Sequence, residues 1–221
     1  MIEPKILRVF VNEEGRFGNP VGVVVDEEKK ITQEDRQKIA IKLGFSESVF
    51  IDDLATRTVS IYNPEHEVKF AGHALVGTAY YLEKLLGTSV GFVKCKAGVV
   101  EVRTVDDKIW VKSSLEGTPP WIFQELSGPD EVDDLIFGQR KKYMHTVVWA
   151  WIEKKSGIVR ARTFAPDWGI PEDEANGSGS MQLANRLGRD LEIHHGKGSV
   201  IYAKPEGQNM AEVGGRVVEN E

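Results

Sequence analysis

Residues 70–87 have the sequence FAGHALVGTAYYLEKLLG, which predicts an apolar helix over about 73–86. The pair Gly72-His73 opens this helix and Gly87 is placed to end it. A histidine at a helix start can donate to a bound anion, or stay neutral because the helix N-terminus lowers its pKa. The structural alternative, a helix-terminal histidine satisfied by a neighbouring group, stays open for His73.

A second stretch, residues 164–188 with the sequence FAPDWGIPEDEANGSGSMQLANRLG, echoes the first. In both halves an aromatic-x-Pro triplet is followed by a loop, a glycine that opens a helix, and a final Leu-Gly pair. If the echo is real, two lobes of like topology bring two helix N-termini to one cleft. Exposed N–H groups and positive dipole ends would make that cleft a carboxylate receptor. Accidental similarity is the alternative, since the arrangement is common.

The rest of the chain reads as short strands with few helices. Thr32 and Asp35 resemble a capping box for a helix over 32–43, and residues 18–20 (Gly-Asn-Pro) read as a turn. The acidic, proline-containing segment 115–140 is the best boundary candidate. The predicted strands lie at 5–11, 21–25, 46–51, 57–62, 143–152 and 157–164, with a meander over 90–113.

Glu47 lies in a strand pattern in which period-two alternation puts it on the face of Phe45, Val49 and Ile51. A carboxylate on an apolar face is costly unless it is paired or its pKa rises. A raised carboxyl pKa suits general acid/base chemistry near neutral pH. The alternative is an edge strand in which Glu47 reaches solvent and Phe50 faces the core.

Several other site types are disfavoured. Asp173 precedes the second helix, where acids are usually solvated partners of the helix dipole. The acidic residues around it would repel a pyrophosphate, which disfavours a nucleotide-binding site. His194 and His195 are adjacent in a predicted strand, so they cannot both bind one metal ion. We therefore predict no metal site. The Gly-x-Ser-x-Gly motif, which is typical of hydrolases with a Ser-His-Asp triad, is absent.

The amino-acid composition limits which partners the protein is expected to bind. The 221 residues carry 28 Lys+Arg against 34 Asp+Glu, a formal charge of −6, which argues against nucleic acid or an anionic membrane as partner. No secretory signal or membrane-spanning run is visible. The single cysteine, Cys95, fits a cytoplasmic location and excludes any mechanism that needs two thiols in one chain.

Four motifs run in order from residue 18 to residue 178: Gly18-Asn19-Pro20-Val21, Ser46-Glu47-Ser48-Val49-Phe50, Pro64 with Phe70-Ala71-Gly72-His73-Ala74-Leu75-Val76-Gly77-Thr78-Ala79, and Phe164-Ala165-Pro166 with Glu172-Asp173-x-Ala175-x-Gly177-Ser178. Their order and approximate spacing resemble the PhzF-like proteins, the phenazine-biosynthesis isomerase family. The resemblance implies an α+β, diaminopimelate-epimerase-like fold of two pseudo-symmetric lobes, each a mixed curled sheet around a central helix. We expect the lobes at 1–115 and 116–221, with the final strand able to pair with the other lobe.

The resemblance also implies cofactor-free proton transfer on a small carboxylate-bearing metabolite, in a cytoplasmic homodimer. Glu47 would move the proton, while His73 and Asp173 would bind substrate polar groups or relay protons. Ser178, with the backbone around Gly72 and Gly177, would hold the carboxylate. Related racemases use a cysteine pair, for which this chain offers only Cys95.

The chain departs from the family between about 115 and 157, where it is shorter, and at Gln182, a polar residue in the helix. The substrate therefore stays open. Two rival functions stay open as well: a catalytically silent protein that binds small anions, and a lyase or hydrolase that uses the same acid/base groups.

Overall fold

A computed structural model describes residues 3–135 and 142–220 of the chain. These residues form an α+β structure with few helices, as predicted, but their strands join in one continuous mixed β-sheet rather than two. The strands are β1 (Lys5–Val11), β2 (Asn19–Val25), β3 (Glu47–Asp53), β4 (Thr58–Tyr62), β5 (Glu67–Val68), β6 (Phe92–Cys95), β7 (Gly98–Val105), β8 (Lys108–Ser114), β9 (Ile122–Glu125), β10 (Thr146–Glu153), β11 (Ile158–Ala165), β12 (Ile170–Asp173), β13 (Leu191–His195), β14 (Ser199–Pro205) and β15 (Met210–Glu219). The helices are α1 (Gln33–Leu43), α2 (Gly72–Leu86), α3 (Pro129–Asp133) and α4 (Gly177–Leu187).

Helices α1 and α2 begin and end within one residue of their predicted bounds, and α4 begins at the predicted glycine and ends at the predicted Leu-Gly pair. Each ends at a glycine in the left-handed conformation: Gly44, Gly87 and Gly188. At the start of α1, the side chain of Thr32 accepts a hydrogen bond from the backbone N–H of Asp35, as the capping box requires. Local sequence signals therefore set the helix limits.

The last strand joins the two halves of the sheet. The N-terminal half has the order β1-β2-β3-β4-β6-β7-β8, and the C-terminal half has the order β15-β14-β13-β11-β10-β9. Strand β15 pairs with β8 and β14, and also with β1. The chain passes from one half to the other between β8 and β9, in the predicted boundary segment 115–140. The part of that segment beyond residue 135 lies outside the described residues.

One continuous core places α2 and α4 against the curled sheet. Helix α2 packs on β1, β2, β3, β8 and β15, and α4 packs on β14 and β15. Leu75 of α2, Met181 of α4 and Val213 of β15 are all fully buried in the same core. Because both helices share β15 as a support, their N-terminal ends are held close together.

The predicted turn at residues 18–20 is shorter than expected. Gly18 makes the turn with a positive φ of 79°, and a Cβ atom there would lie 2.8 Å from Val11 Cγ1. Asn19 and Pro20 already belong to β2, where Asn19 pairs with Val9. Strand β2 thus begins two residues earlier than predicted and carries the side chain of Asn19 into the interior, where it is 5% exposed.

Candidate active site

The starts of helices α2 and α4 touch each other. A Cβ atom built on Gly72 would lie 3.9 Å from Gly177 Cα, and one built on Gly177 would lie 3.4 Å from the backbone nitrogen of His73. Neither helix has an acidic residue in its first turn, and Ala71, the N-cap of α2, has no side chain able to cap. Two positive helix ends therefore meet without acids of their own to neutralise them.

Glu47 lies beside this meeting point, at the start of β3. The edge-strand alternative is wrong, because β3 is paired on both sides, with β2 and with β4. Val49 packs in the main core, while Phe50 packs beneath α1, so both faces of the strand are buried. Glu47 lies deep in the protein, yet 21% of its side chain remains accessible to water. A deep but accessible side chain is what the floor of a cleft provides.

Burial determines the protonation of Glu47. It raises the pKa of this carboxyl to about 7, because the charged form is poorly solvated, and a hydrogen bond from the side chain of Ser46 offsets the effect only in part. The acid and base forms of Glu47 are therefore both populated near neutral pH, as proton transfer in both directions requires.

His73 contacts Glu47 directly. The distance from His73 Nδ1 to Glu47 Oε2 is 3.4 Å. Burial lowers the pKa of His73 to about 4, although the negative charge of Asp173 opposes the shift. The imidazole is consequently neutral at pH 7, with one nitrogen as donor and the other as acceptor. Its Nε2 is buried and has no hydrogen-bond partner within residues 3–135 and 142–220.

Asp173 reaches the same place from the other half of the molecule. Its carboxylate accepts hydrogen bonds from Asn19 Nδ2 and Asn176 Nδ2, both at 2.9 Å, and from the backbone N–H of Ala175 at 3.2 Å. Burial raises the pKa of Asp173, while the hydrogen bond from Asn176 lowers it and the nearby charge of Glu47 adds to the rise. The structure therefore brings Glu47, His73 and Asp173 together, in positions where their charges affect one another.

Asn19 and Asn176 hold the arrangement and are missing from the residues predicted as site members. Asn19 donates to Asp173 and to the carbonyl of Ala175, and its Oδ1 accepts from Ser46 Oγ at 3.4 Å. It thereby connects the neighbour of Glu47 to the second half of the chain. Asn176 is the N-cap of α4 and accepts from the backbone N–H of Gly179. An asparagine before a helix is a recognisable cap signal, but nothing local indicates the long-range contact of Asn19.

Ser178 is the second residue of α4 and is partly exposed. Its hydroxyl accepts a hydrogen bond from the indole Nε1 of Trp121 at 2.9 Å, and lies 3.5 Å from Asn176 Oδ1. All six predicted site residues therefore lie on β3, at the starts of α2 and α4, or on the segment leading into α4.

The two adjacent histidines of β13 are arranged as their positions in a strand predict. His194 is partly exposed, whereas its neighbour His195 is 1% exposed, so the two point to opposite faces of β13. Among the described residues, no three His, Cys, Asp or Glu side chains cluster in a way that could hold a metal ion. Burial raises the pKa of Cys95, which disfavours a reactive thiolate. None of the helices in the described part of the chain is long and apolar enough to cross a membrane.

Known proteins are similar to this chain in sequence and in fold. The model of the PhzC-PhzF family, described as phenazine biosynthesis-like protein, matches residues 7–136. A trans-2,3-dihydro-3-hydroxyanthranilate isomerase from Pseudomonas fluorescens is 26% identical, over 86% of each chain. A PhzF family protein from Enterococcus faecalis superposes with a TM-score of 0.80 at 21% identity, covering all of this chain and 98% of that one.

An epimerase of known structure has a similar fold. A hydroxyproline epimerase from Agrobacterium vitis superposes with a TM-score of 0.64 at 13% identity, covering all of this chain and 91% of that one. The predicted epimerase-like architecture is thus confirmed. The family match spans more than half of the sequence, and the chain belongs to the PhzC-PhzF family of phenazine biosynthesis-like proteins, which is a family of isomerases.

Proposed function

We propose that this protein is a cofactor-independent isomerase that moves a proton between two carbons of a small carboxylate-bearing metabolite, with Glu47 as the general acid/base. One observation carries the proposal. The carboxyl of Glu47 is deep, remains accessible to water, and has a pKa of about 7 beside a neutral imidazole. Such a group accepts and returns a proton without a large free-energy difference between its two forms.

The proton transfer is balanced within one carboxyl group. Ionised Glu47 takes a proton from carbon, and the electron pair of the broken C–H bond is delocalised into the unsaturated substrate. The protonated carboxyl, which is accessible to water and exchanges its proton with it, then gives a proton to a second carbon and returns to its first state. The elemental formula of the substrate is unchanged, and no oxidant or reductant is consumed.

His73 and Asp173 bind the polar groups of the substrate around this step. His73 Nδ1 lies 3.4 Å from Glu47 Oε2, and the buried Nε2, when it lacks the proton, accepts from a substrate amino or hydroxyl group. Asp173 is oriented by its three hydrogen bonds and balances any positive charge that forms on His73. Both assignments are supported by the convergence of the two halves at this point.

The helix starts supply the anion site. We assign the anion site to the backbone N–H groups of Gly72 and Gly177 and the hydroxyl of Ser178, because the starts of α2 and α4 lie against each other. A carboxylate bound there is stabilised by both helix dipoles, and so is negative charge that spreads onto it when the C–H bond breaks. This preference for charge developed during the reaction is what lowers the barrier.

The first substrate to test is trans-2,3-dihydro-3-hydroxyanthranilate. Isomerases named for this compound align over 86% of this chain. We further propose that the protein is cytoplasmic and homodimeric. The single cysteine supports the first statement and family resemblance supports the second; sedimentation analysis of the purified chain tests the dimer.

Deuterium incorporation tests the reaction. The protein is incubated in deuterium oxide with the named isomerase substrate and with a pool of small amino and hydroxy acids, and label on carbon is measured by mass spectrometry. The Glu47→Gln variant is compared in parallel, with Glu116→Gln as the matched control, because Glu116 is exposed and lies more than 40 positions along the chain from Glu47, His73 and Asp173.

An isomerase labels carbon with the unaltered protein and with Glu116→Gln but not with Glu47→Gln, and the formula of the compound stays constant apart from the label. A change of formula would instead indicate a lyase or hydrolase. Binding without any label would indicate a silent anion-binding protein.

A further inference from the structure

The segment between β8 and β9 is fastened to α4 at two points. The side chain of Gln182 donates to Thr118 Oγ1 at 2.7 Å and to the carbonyl of Pro119 at 2.8 Å. One turn earlier on the helix, Ser178 accepts from Trp121. Gln182 therefore holds the segment that carries Trp121, in the region where the chain departs from the family pattern.

The ring of Trp121 is well ordered by its neighbours. It is 9% exposed and packs edge-on against Trp168, with ring centroids 5.1 Å apart. Trp168 in turn stacks on His145 at 4.9 Å, and His145 Nδ1 lies 2.7 Å from Asp167. Beside this row of rings, the indole of Trp121 is oriented with Nε1 at Ser178.

The hydrogen bond to Ser178 has only one possible direction. An indole N–H can donate but never accept, so Ser178 Oγ is the acceptor and its single proton must go elsewhere. The only described acceptor near it is Asn176 Oδ1 at 3.5 Å, a long contact to an oxygen that already accepts from Gly179. The proton of Ser178 is therefore available to a stronger acceptor.

We propose that Trp121 is a positioning residue of this site: by donating to Ser178 Oγ, it leaves the Ser178 hydroxyl proton directed at the carboxylate of a bound substrate. The inference rests on the proposed function, because it assumes a carboxylate at the start of α4. The buried, unpartnered Nε2 of His73 at the start of α2 is an independent sign that a ligand completes this place.

Binding of two probes tests the role. 3-Hydroxyanthranilate carries the carboxylate, and 2-aminophenol is the same ring without it. By calorimetry, Trp121→Phe should weaken binding of 3-hydroxyanthranilate about three- to tenfold, the worth of one hydrogen bond, and leave 2-aminophenol unchanged. Ser178→Ala should have a similar effect, and the double variant should be no weaker than Ser178→Ala alone, because both changes remove one coupled interaction.

Two further variants separate positioning from packing. Trp168→Phe makes the same change in the ring that packs on Trp121 and should leave the selectivity between the probes unaltered. Replacement of Trp121 by 3-benzothienylalanine, which has the shape of tryptophan without the N–H, should reproduce the effect of Trp121→Phe even if the phenylalanine variant folds poorly.

The outcomes are distinguishable. Equal binding of 3-hydroxyanthranilate to the unaltered protein and to the benzothienyl variant would overturn the role of Trp121 and leave the proposed function standing. An equal loss for both probes would also overturn it, since that pattern reports packing. If the unaltered protein shows no preference for the carboxylate probe, the carboxylate site and the role of Trp121 both fail.

Discussion

Helices α2 and α4 occupy equivalent places in the two halves of the chain, yet their first turns are chemically different. Helix α2 follows an alanine N-cap and carries a titratable residue, His73, next to Glu47. Helix α4 follows a capping asparagine and carries Ser178, with Asp173 hydrogen-bonded to that cap. The same backbone feature, a helix start with no acid in its first turn, is used twice with different side chains.

The difference indicates a division of labour. The N-terminal half supplies the carboxyl whose pKa of about 7 suits proton transfer, together with the neutral imidazole beside it. The C-terminal half supplies hydroxyl and amide groups that hydrogen-bond without titrating, together with the carboxyl of Asp173. Under the proposed function, divergence of the two helix starts would provide separate places for the reacting carbon and for the carboxylate.

The pH dependence of the free energy of unfolding is the strongest test of the environment of Glu47 in the N-terminal half. The folded pKa of Glu47 lies above the unfolded value of 4.5, so folded protein binds more protons between pH 4.5 and 7, and this group makes stability fall as pH rises through that window. The penalty is absent below pH 4.5 and complete above pH 7. Glu47→Gln should therefore be more stable than the unaltered protein at pH 8, by up to about 3 kcal/mol, and nearly equal at pH 4.5.

Urea unfolding of both proteins at pH 4.5 and pH 8 measures this difference. The comparison between variants matters, because His195 acts in the opposite direction: burial lowers its pKa to about 4, so its contribution is lost as pH falls from 6.5 to 4. Equal stabilities of the two proteins at pH 8 would show that the Glu47 carboxyl is not held in a water-poor place.

A shorter side chain at the same position tests geometry separately from charge. Glu47→Asp keeps a carboxyl but withdraws it by about one methylene, and a misplacement of about 1 Å can cost a hundredfold in rate. We expect the rate of label incorporation to fall about a hundredfold, with little change in binding of 3-hydroxyanthranilate. A rate within a factor of two of the unaltered protein would argue against direct proton transfer by this carboxyl.

Asn19→Asp tests the connection between the two halves. The substitution preserves shape but replaces the donor to Asp173 with a second acid, which leaves buried groups unpaired and adds charge repulsion. We expect a loss of about 1–3 kcal/mol in the free energy of unfolding, measured at pH 8. Asn63→Asp is the control, because Asn63 uses only its oxygen, to accept from the backbone N–H groups of Glu65 and His66. Equal effects of the two substitutions would contradict the bridging role of Asn19.

The smallest expected effect comes from making the two helix starts alike. Ala71→Ser adds a capping hydroxyl to α2, which should stabilise the fold by up to about 1 kcal/mol. The same hydroxyl would occupy N–H groups that we assign to the substrate, so 3-hydroxyanthranilate should bind more weakly. Thermal unfolding and calorimetry measure both quantities. Tighter binding would show that the bare start of α2 does not contribute to the anion site.

Local patterns predicted much of this protein. The limits of α1, α2 and α4 follow from caps, apolar spacing and terminal glycines, all of which act within a few residues. Alternation placed Glu47 on an apolar face, and the repeated glycine-helix pattern indicated two helix starts in one place. The turn at residues 18–20 was wrong in extent, because pairing of Asn19 with Val9 across the β1–β2 ladder outweighs its turn preference.

By itself, the sequence determined which local elements hold the candidate residues, because propensity, capping and side-chain period depend on near neighbours. Only the tertiary structure decided how Asn19 meets Asp173, how Trp121 meets Ser178, and how β15 closes the sheet against both β1 and β8. These contacts join residues 57 to more than 200 positions apart, and no pattern within a short window encodes such a pairing. The pKa of Glu47 also depends on the tertiary structure, because desolvation is set by everything that packs around the carboxyl.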